Sequence, residues 1–549
     1  MIHRTELLAR LHHQSFDVLI IGGGIVGAGI ARDAAMRGWR VALVEQGDFA
    51  SGTSSKSSKL IHGGLRYLEH GQLRLVADCL RERHVLRTIA SDLVRPLPLM
   101  LPVYRGDARA LWKIAVGLWL YDRLAGSDRI RPHRILSEQA AKRLEPRIAT
   151  TDLRGAGVYL DCVMDDARLC LANHLQAIAF GAVCCNYARV LALEKRSGQL
   201  AGAVVEDALT GARMAVRASV VVNATGPWAD RVRRLSDKDA STRVAPTKGS
   251  HVLVPRIADH ALFIQARRDR RMIFLLPWGE CTLIGTTESP DVADPAALYA
   301  TRDEVGYLLA ETNRLLPDAN LRDTDVVGSF SGARPLLAFS GPSTAASREH
   351  CIETDRFGLV SVMGGKYTTY RAMAAQAVDA IHARWKLRVS RCLTDQVNLI
   401  EPNHRVALDR WDALTKRLEP ALLARWLARY GVGTFHILRA VEFEPNLLEP
   451  VCAHHDITRA ELVYAIQEEM ACTVSDLLVR RTRIAYSRCH GLEVMPVVRD
   501  LLQRYGRHSR EVVDAQVADY HRTLERSLAF RSWGGSERTA PGLAPVLLS

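Results

Sequence analysis

Apolar and polar positions near the N-terminus follow an order that predicts a strand, a glycine turn, a helix and a second strand. The apolar run at residues 16–21 leads straight into Gly22-Gly23-Gly24-Ile25-Val26-Gly27. A segment of helical character separates this turn from the apolar run at 41–44, which ends at Glu45. This order is typical of the βαβ unit that holds a dinucleotide.

Each glycine of this turn, and the acid after the second strand, has a physical role. Gly22 allows the sharp turn out of the strand, Gly24 lets a pyrophosphate approach the backbone, and Gly27 lets helix and strand pack closely. Glu45 lies about 20 residues beyond the turn, where a carboxylate accepts hydrogen bonds from a ribose and repels a 2′-phosphate. The motif by itself leaves FAD and NAD open.

A block rich in hydroxyls and small residues follows at 51–59 and contains Thr53, Ser54 and Ser58. One interpretation is a flexible linker. Because the block follows the second strand of a nucleotide-binding unit and runs into His62-Gly63-Gly64-Leu65, we favour a second cradle for phosphate or flavin.

Two segments farther along allow alternative interpretations. Residues 111–121 are apolar and aromatic between basic flanks, which suits an interfacial helix and a buried core helix about equally. The paired acids Asp165 and Asp166 precede a helical pattern at 167–179, and a helix N-cap is the better interpretation than catalysis.

The centre of the chain predicts strands that end at glycine turns. An apolar run at 216–224 closes with Thr225-Gly226, residues 249–290 read as antiparallel sheet with a hairpin, and a strand at 359–363 is followed by Gly364-Gly365-Lys366. Residues 404–526 look mainly helical, with a capping box at Thr458 and Glu461, and the end of the chain, from 527 to 549, is predicted to be a disordered tail.

Composition limits the size and class of the protein but does not identify its function. The 549 residues suffice for two or three domains, with 48% hydrophobic and 24% charged residues. The net charge of +13 includes no basic block long enough to bind nucleic acid, so it indicates a basic surface or attraction to an anionic substrate or membrane. Eleven scattered cysteines without C-x-x-C predict reduced thiols and no zinc site. No apolar run reaches spanning length and no signal peptide is visible, so any membrane contact is expected to be peripheral.

The sequence resembles the FAD-dependent, respiratory glycerol-3-phosphate dehydrogenases up to about residue 526. The resemblance is carried by motif blocks in the same order along the chain: the glycine turn with Ala28 to Asp33, Ser58-Lys59-Leu60-Ile61-His62-Gly63-Gly64-Leu65-Arg66-Tyr67, Val222-Asn223-Ala224-Thr225-Gly226-Pro227-Trp228, Lys248-Gly249-Ser250-His251, Ile284-Gly285-Thr286-Thr287, Ser331-Gly332-Ala333-Arg334-Pro335 and Gly364-Gly365-Lys366.

The resemblance implies an α/β fold with a glutathione-reductase-type Rossmann domain for FAD, an antiparallel-sheet substrate domain and a helical C-terminal domain. We expect the FAD-binding domain at 14–80, 150–235 and 350–390, the cap at 81–149 and 236–349, and the helical domain at 400–526. The implied reaction is oxidation of sn-glycerol 3-phosphate to dihydroxyacetone phosphate, with electrons passing from FAD to a membrane quinone. The implied setting is the cytoplasmic face of the inner membrane, as a peripheral protein, and a homodimer is compatible with the resemblance.

The resemblance also implies site residues. Arg334 and Arg66 would bind the substrate phosphate, with Tyr67 and Thr286 as hydroxyl donors. We expect His251 to act as the catalytic base, with His62 in reserve. Arg334 and Lys366 are also expected to take part in catalysis, Lys366 near developing negative charge. The residues expected to contact FAD are Gly22, Gly24, Gly27, Glu45, Thr53, Ser54, Ser58, Gly226, Gly365, Lys366 and Thr368.

Two other functions remain open at this point. A flavin oxidase of the same fold would use oxygen and act on glycerophosphate or a small amino acid. A non-catalytic flavoprotein would bind FAD without substrate-dependent bleaching, and the presence of Arg334, His251 and Lys366 argues against it.

Overall fold

The computed structural model describes residues 4–290, 292–338, 349–387, 390–400 and 411–531. The strands, in chain order, are β1 (Ser15–Ile21), β2 (Val41–Val44), β3 (Leu60–Ile61), β4 (Val94–Tyr104), β5 (Arg134–Leu136), β6 (Leu153–Met164), β7 (Val183–Cys185), β8 (Ala188–Arg196), β9 (Gln199–Asp207), β10 (Arg213–Asn223), β11 (Val244–Pro255), β12 (Ala261–Gln265), β13 (Met272–Trp278), β14 (Cys281–Gly285), β15 (Gly328–Leu337), β16 (His350–Thr354), β17 (Leu359–Gly364), β18 (Pro450–Cys452) and β19 (His455–Thr458).

The helices, also in chain order, are α1 (Arg4–His13), α2 (Ile25–Met36), α3 (Leu73–Ile89), α4 (Leu111–Ala125), α5 (Glu138–Leu144), α6 (Asp166–Ala179), α7 (Ala229–Ser236), α8 (Arg302–Leu315), α9 (Tyr370–Trp385), α10 (Asp412–Thr415), α11 (Pro420–Tyr430), α12 (Thr434–Phe443), α13 (Arg459–Gln467), α14 (Met495–Arg504) and α15 (Arg510–Ser527).

A largely parallel sheet carries the predicted βαβ unit. Its strand order is β16-β17-β10-β1-β2-β7, with parallel pairing from β17 to β7 and the β8–β9 hairpin attached to β10. The strands at its centre are nearly continuous apolar runs because helices cover the sheet and exclude water from both faces. The α/β fold class and the predicted strand–turn–helix–strand order are confirmed.

A second, mostly antiparallel sheet packs beside the first in the order β15-β11-β14-β13-β12-β4-β6-β3. The predicted hairpin is confirmed as β13 and β14, with Trp278 opposite Cys281. The range 150–235 expected for the FAD-binding domain includes β6, and β6 pairs along its length with β4 in this second sheet. After β6, the chain returns to the parallel sheet with helix α6. Asp165 is the N-cap of this helix and accepts a hydrogen bond from the Arg168 N–H, which confirms the predicted N-cap.

The C-terminal region is mainly helical and has its own apolar core. The predicted capping box at Thr458 and Glu461 is confirmed at the start of α13. The short hairpin β18–β19 was not predicted, because strands of three and four residues are too short to show a period of two. The residues just after 526 are not a free tail, since Phe530 is buried in the core beside the second sheet; the rest of the predicted tail, 532–549, lies outside the described residues.

Buried ion pairs fix the C-terminal region to the parallel sheet. Arg481 binds both carboxylate oxygens of Asp48 at 2.8 and 2.9 Å, and Arg480 binds the same carboxylate and Asp476. Tyr187 donates to Asp476 at 2.7 Å. The contacts of Asp48 with Arg480 and Arg481 join residues more than 400 positions apart in sequence, so they form only in the complete fold.

Candidate active site

A cavity of about 610 Å³ opens between the two sheets, at the carboxyl ends of β1, β2, β10 and β17. This edge is where ligands bind in open α/β sheets. The sequence-predicted residues that line it are Gly22, Gly24, Glu45, Thr53, Ser54, Ser58, His62, Tyr67, Gly226, His251, Arg334, Gly365, Lys366 and Thr368. Gly27, Arg66 and Thr286 are not among the lining residues.

The glycine turn takes the shape that its sequence predicted. Gly22 adopts a φ of +111°, and a Cβ there would lie 2.7 Å from the Ala224 carbonyl oxygen. A Cβ at Gly27 would overlap the carbonyl oxygen of Gly22. Helix α2 therefore begins at Ile25 close against β1, with its N-terminus at the cavity, where the helix dipole favours an anion.

Glu45 is held at the end of β2 by backbone hydrogen bonds. Its carboxylate accepts from the N–H of Gly23 at 2.6 Å and from the N–H of Gly47 at 2.9 Å. Burial raises the pKa of Glu45, and these hydrogen bonds oppose the rise. The side chain is thus fixed beside the cavity; its contact with a ribose stays a prediction.

The hydroxyls of the serine-rich block bind other parts of the protein. Ser54 Oγ accepts from the Ile25 N–H at 2.9 Å, and Thr53 Oγ1 donates to the Ala333 carbonyl at 2.7 Å. Thr368, in the turn after β17, hydrogen-bonds both backbone groups of His62. These hydroxyls bring the two sheets and the glycine turn together around one space, and direct contacts to a cofactor stay predictions.

His251 lies on β11 with its ring buried at the cavity wall. The ring fits because Gly285, opposite it on β14, has no Cβ to overlap it, and it stacks on Phe330 with centroids 5.0 Å apart. His251 Nε2 shares a 2.8 Å hydrogen bond with Ser58 Oγ. Burial, followed by the charges of Arg334 and Lys59, lowers the pKa of His251 well below its ordinary value. The imidazole is therefore neutral near pH 7, so one of its ring nitrogens carries no proton.

Arg334 is aimed into the same cavity from β15. Its Nη2 donates to Thr286 Oγ1 at 2.8 Å, and its guanidinium lies across Gly249, where a Cβ would collide with it. Thr286, itself outside the cavity lining, therefore contacts Arg334 and orients it. A guanidinium held this way presents donors to a phosphate or carboxylate.

Lys366 and Tyr67 form a second polar group in the cavity. Lys366 Nζ lies 3.6 Å from the centroid of the Tyr67 ring and 3.6 Å from Cys79 Sγ. Both residues occupy 3-10 turns or their caps, Tyr67 within Leu65–His70 and Lys366 ahead of Tyr367–Thr369. Arg66 precedes Tyr67 in the same turn but is not among the residues lining the cavity.

The cavity also contains cations that sequence reasoning missed. Lys56, Arg189 and Arg231 line it, and burial, with a contribution from Arg480, lowers the pKa of Lys56 to about 8. Lys56 could have been found, because it lies inside the serine-rich block. Arg189 and Arg231 carried no sequence signal, since only tertiary packing brings β8 and α7 to this edge.

The donor set fits a dinucleotide of the FAD type. The lining extends from Glu45 past the glycine turn to His251 and Arg334, so an adenosine end, a pyrophosphate and a flavin ring find matching groups in that order. Among the described residues, no group of three or more His, Cys, Asp and Glu side chains could hold a metal ion.

Comparisons with known proteins identify the family. Residues 17–371 match the family described as FAD dependent oxidoreductase, and residues 361–512 match the C-terminal domain of alpha-glycerophosphate oxidase. The chain is 38% identical over 538 residues to glycerol-3-phosphate dehydrogenase 2 of Mycobacterium tuberculosis, covering 95% of this chain and 90% of that protein. It is 35% identical to glycerol-3-phosphate dehydrogenase of Synechocystis, covering 94% and 98%.

A solved structure extends the likeness to the whole fold. The glycerol-3-phosphate dehydrogenase from Bacillus halodurans complexed with FAD superposes with a TM-score of 0.77 at 28% identity, covering 96% of this chain and 97% of that one. The chain belongs to the FAD dependent oxidoreductase family and, within it, to the FAD-dependent glycerol-3-phosphate dehydrogenases. Its cofactor is FAD.

Proposed function

We propose that this FAD-dependent dehydrogenase oxidises sn-glycerol 3-phosphate to dihydroxyacetone phosphate and passes the electrons to a membrane quinone. The observation that carries the proposal is the pairing, in one cavity, of an oriented guanidinium on Arg334 with a buried neutral imidazole on His251. The substrate has a phosphate for the first group and a secondary alcohol for the second. The substrate names of the relatives in Mycobacterium and Synechocystis support the same assignment.

Binding begins at the phosphate. Arg334, already oriented by Thr286, would donate hydrogen bonds to the dianion, and Tyr67 would add its hydroxyl from the cavity lining. Arg66, one residue earlier and outside the lining, would add positive charge. A charge-assisted pair of this kind contributes roughly 1.5–3 kcal/mol. Fixing the phosphate also fixes the distance from C2 to the flavin, which is the main contribution of positioning.

Oxidation at C2 releases a hydride and a proton. FAD, when bound, supplies the acceptor for the hydride. We assign the proton to His251, whose neutral ring accepts it from the C2 hydroxyl, and Lys366 would stabilise negative charge as it develops. His62 lines the same cavity and is the reserve candidate for the base.

We propose that the cofactor is held along the parallel-sheet edge. The α2 N-terminus with Gly22 and Gly24 would receive the pyrophosphate and Glu45 the ribose, while Gly27 acts through the helix–strand packing behind them. Thr53, Ser54, Ser58, Gly226, Gly365 and Thr368 would border the rest of the cofactor. The FAD-binding unit would comprise 14–80, 165–235 and 350–390, with its second boundary moved to Asp165 because β6 belongs to the other sheet.

We also propose a setting. A quinone is dissolved in lipid, so the protein would work as a peripheral protein at the cytoplasmic face of the inner membrane. Among the described residues, no helix is both long and apolar enough to cross a bilayer. Assembly as a homodimer is part of the same proposal.

One observation favours a second candidate. Residues 361–512 match a domain named for alpha-glycerophosphate oxidase, and an oxidase would use the same substrate with oxygen as acceptor. The two candidates differ only in the acceptor, so one experiment separates them.

The test is an anaerobic mixing experiment on the purified holoenzyme. Addition of sn-glycerol 3-phosphate should bleach the flavin absorbance at about 450 nm, a property of the cofactor. A quinone analogue should restore the absorbance quickly, and oxygen slowly. Fast reoxidation by oxygen with release of peroxide would favour the oxidase, and a flavin that stays oxidised would reject the substrate.

A further inference from the structure

Helix α4 is the apolar, aromatic segment for which the sequence allowed both a core helix and an interfacial helix. The structure divides it into two faces. Ile114, Leu118, Tyr121 and Ala125 are buried, whereas Trp112, Val116 and Trp119 stand in solvent with 65%, 56% and 54% of their surface exposed. Each interpretation therefore describes one face of the same helix.

The inner face is fixed by close packing on β6. A Cβ at Gly157 would lie 2.8 Å from both Ile114 Cγ2 and Leu118 Cδ1, so the glycine allows the helix to approach the strand. Tyr121 Oη lies 2.8 Å from the Gly63 nitrogen and 2.7 Å from Asp161 Oδ1, which Arg83 binds at 2.7 Å. The inner face thus ends at the His62–Gly63 segment of the active-site cavity.

The outer face combines large apolar side chains with cations. Trp112, Val116 and Trp119 are three or four residues apart, so they share one face of the helix. Two exposed basic side chains lie beside them. Lys113 Nζ is 5.6 Å from the centroid of the Trp112 ring, and Arg123 Cζ is 5.6 Å from the centroid of the Trp119 ring. Tryptophan beside a basic side chain is the pairing found where helices meet the lipid headgroup layer.

Within α4, whose residues are all described, the outer face carries no acidic side chain. The only carboxylate in α4 is Asp122, which is buried and binds the N–H and Nδ1 of His133. After the helix, exposed Arg131 and Arg134 extend the positive charge, and Ile135 adds exposed apolar surface. Asp128, 30% exposed, is the one partly exposed carboxylate of residues 111–135, and the basic side chains there outnumber it. A protein surface with aromatic anchors and excess positive charge is complementary to an anionic lipid surface.

We propose that the outer face of α4, defined by Trp112, Val116 and Trp119, docks the protein on an anionic lipid bilayer. The helix would lie in the plane of the headgroups, because its 15 residues are too few to span the membrane. Tyr121 would then hold the His62–Gly63 segment directly behind the bound helix. This inference rests on the proposed function, since a lipid-dissolved electron acceptor gives the docking its purpose.

The experiment is co-sedimentation of the holoenzyme with phosphatidylglycerol/phosphatidylcholine vesicles and with pure phosphatidylcholine vesicles. The parent should bind the anionic vesicles, and binding should weaken with salt. The double variant Trp112→Ser/Trp119→Ser should lose binding by about tenfold or more, because the two anchors no longer bury apolar surface in the interface. Lys113→Glu/Arg123→Glu should lose the preference for anionic lipid.

A matched control is Phe443→Ser, which removes an aromatic ring that is 91% exposed at the end of α12. It should bind vesicles as the parent does. The proposal is overturned if the tryptophan double variant binds like the parent, or if the parent binds no anionic vesicle. It is also overturned if the double variant converts a dimer to a monomer on size exclusion, since the face would then bind a second copy.

Failure of this inference is separable from failure of the proposed function. Flavin bleaching by sn-glycerol 3-phosphate in lipid-free buffer should be unchanged in the tryptophan double variant, whereas reduction of a quinone dissolved in the vesicles should fall with binding. Absence of bleaching in the parent would reject the substrate and leave vesicle binding as an independent result.

Discussion

At the scale of single residues, burial determines the charge of two histidines in the interior. His251 lies at the cavity wall, and His174 donates to the Gly23 carbonyl at 3.0 Å behind the glycine turn. Burial lowers the pKa of both, to about 4 for His174 and well below the ordinary value for His251. Each is therefore neutral over the physiological pH range.

The first prediction concerns the pH dependence of flavin reduction. Because the pKa of His251 is lowered, its basic form persists as the pH falls through about 6.5, the ordinary histidine value. Stopped-flow reduction by sn-glycerol 3-phosphate should be flat from pH 8 to about pH 6. His251→Gln should slow it by about 10²–10⁴-fold with flavin content unchanged. Fast reduction with weakened substrate binding would make His251 a positioning residue.

The second prediction concerns stability at low pH. A histidine whose pKa is lowered by folding binds fewer protons in the native state, so the free energy of unfolding falls as the pH drops below about 6.5. The expected loss is about 1.4 kcal/mol per pH unit for each such group. In urea unfolding between pH 6.5 and 5, His174→Gln should reduce this slope, whereas exposed His521→Gln should not. An equal slope in the parent and His174→Gln would contradict the prediction.

The third prediction concerns the phosphate. Arg334→Ala should lower kcat/KM for sn-glycerol 3-phosphate by about 10–150-fold, from the loss of one charge-assisted contact. Thr286→Val should cost less, because it removes only the hydrogen bond that orients the guanidinium. Exposed Arg302→Ala is the control for a general charge effect. Steady-state kinetics with normal flavin content would measure all three, and unchanged kinetics in Arg334→Ala would reject its role.

At the scale of elements, one helix requires a glycine for close packing and another contains a glycine that its packing does not require. In α2, Gly27 faces β1 so closely that any side chain would overlap the Gly22 carbonyl. In α4, a Cβ at Gly117 would meet nothing within 4 Å. The same residue type thus secures packing in one helix and only adds backbone freedom in the other.

The fourth prediction compares these two positions. Gly27→Ala should separate α2 from β1, lower the melting temperature and lower the flavin content of the purified protein. Gly117→Ala should stabilise by about 0.5–1 kcal/mol, because alanine restricts the unfolded chain and favours the helix. Thermal unfolding and the flavin-to-protein absorbance ratio measure both. Normal flavin content and stability in Gly27→Ala would show that α2 can shift without cost.

At the scale of the whole molecule, Asp48 connects the C-terminal region with the nucleotide-binding layer. Arg480 and Arg481 both bind its buried carboxylate. Burial alone would raise the pKa of Asp48, but the two guanidiniums hold it well below the ordinary range. The buried charges are stable only as a group, since removing one partner leaves another uncompensated.

The fifth prediction tests this connection. Asp48→Asn should lower the free energy of unfolding by about 3–5 kcal/mol, as expected for breaking a buried ion pair. Asp500→Asn, which breaks an exposed pair with Arg504, should change stability by less than about 1 kcal/mol. Denaturant unfolding of both variants gives the comparison. Equal stability of the two would show that the cluster contributes no more than a surface pair.

The sequence predicted much of the local structure. The βαβ unit, the β13–β14 hairpin, the N-cap at Asp165 and the capping box at Thr458 each depend on residues close together in the chain. Short-range steric and hydrogen-bonding rules act over that range, so these elements could be read from spacing alone. Most predicted site residues line the cavity because they belong to short motifs that are local in sequence, such as the glycine turn, the serine-rich block and Gly364-Gly365-Lys366; their roles stay predictions.

Only the tertiary structure decided the rest. It placed β6 in the second sheet, brought Arg189 and Arg231 to the cavity, joined Asp48 to Arg481, and divided α4 into a packed and an exposed face. Each of these results depends on contacts between distant segments and on which side of an element the core covers. Sequence spacing determines the period of an apolar pattern, but the partner that buries each face is chosen by long-range packing.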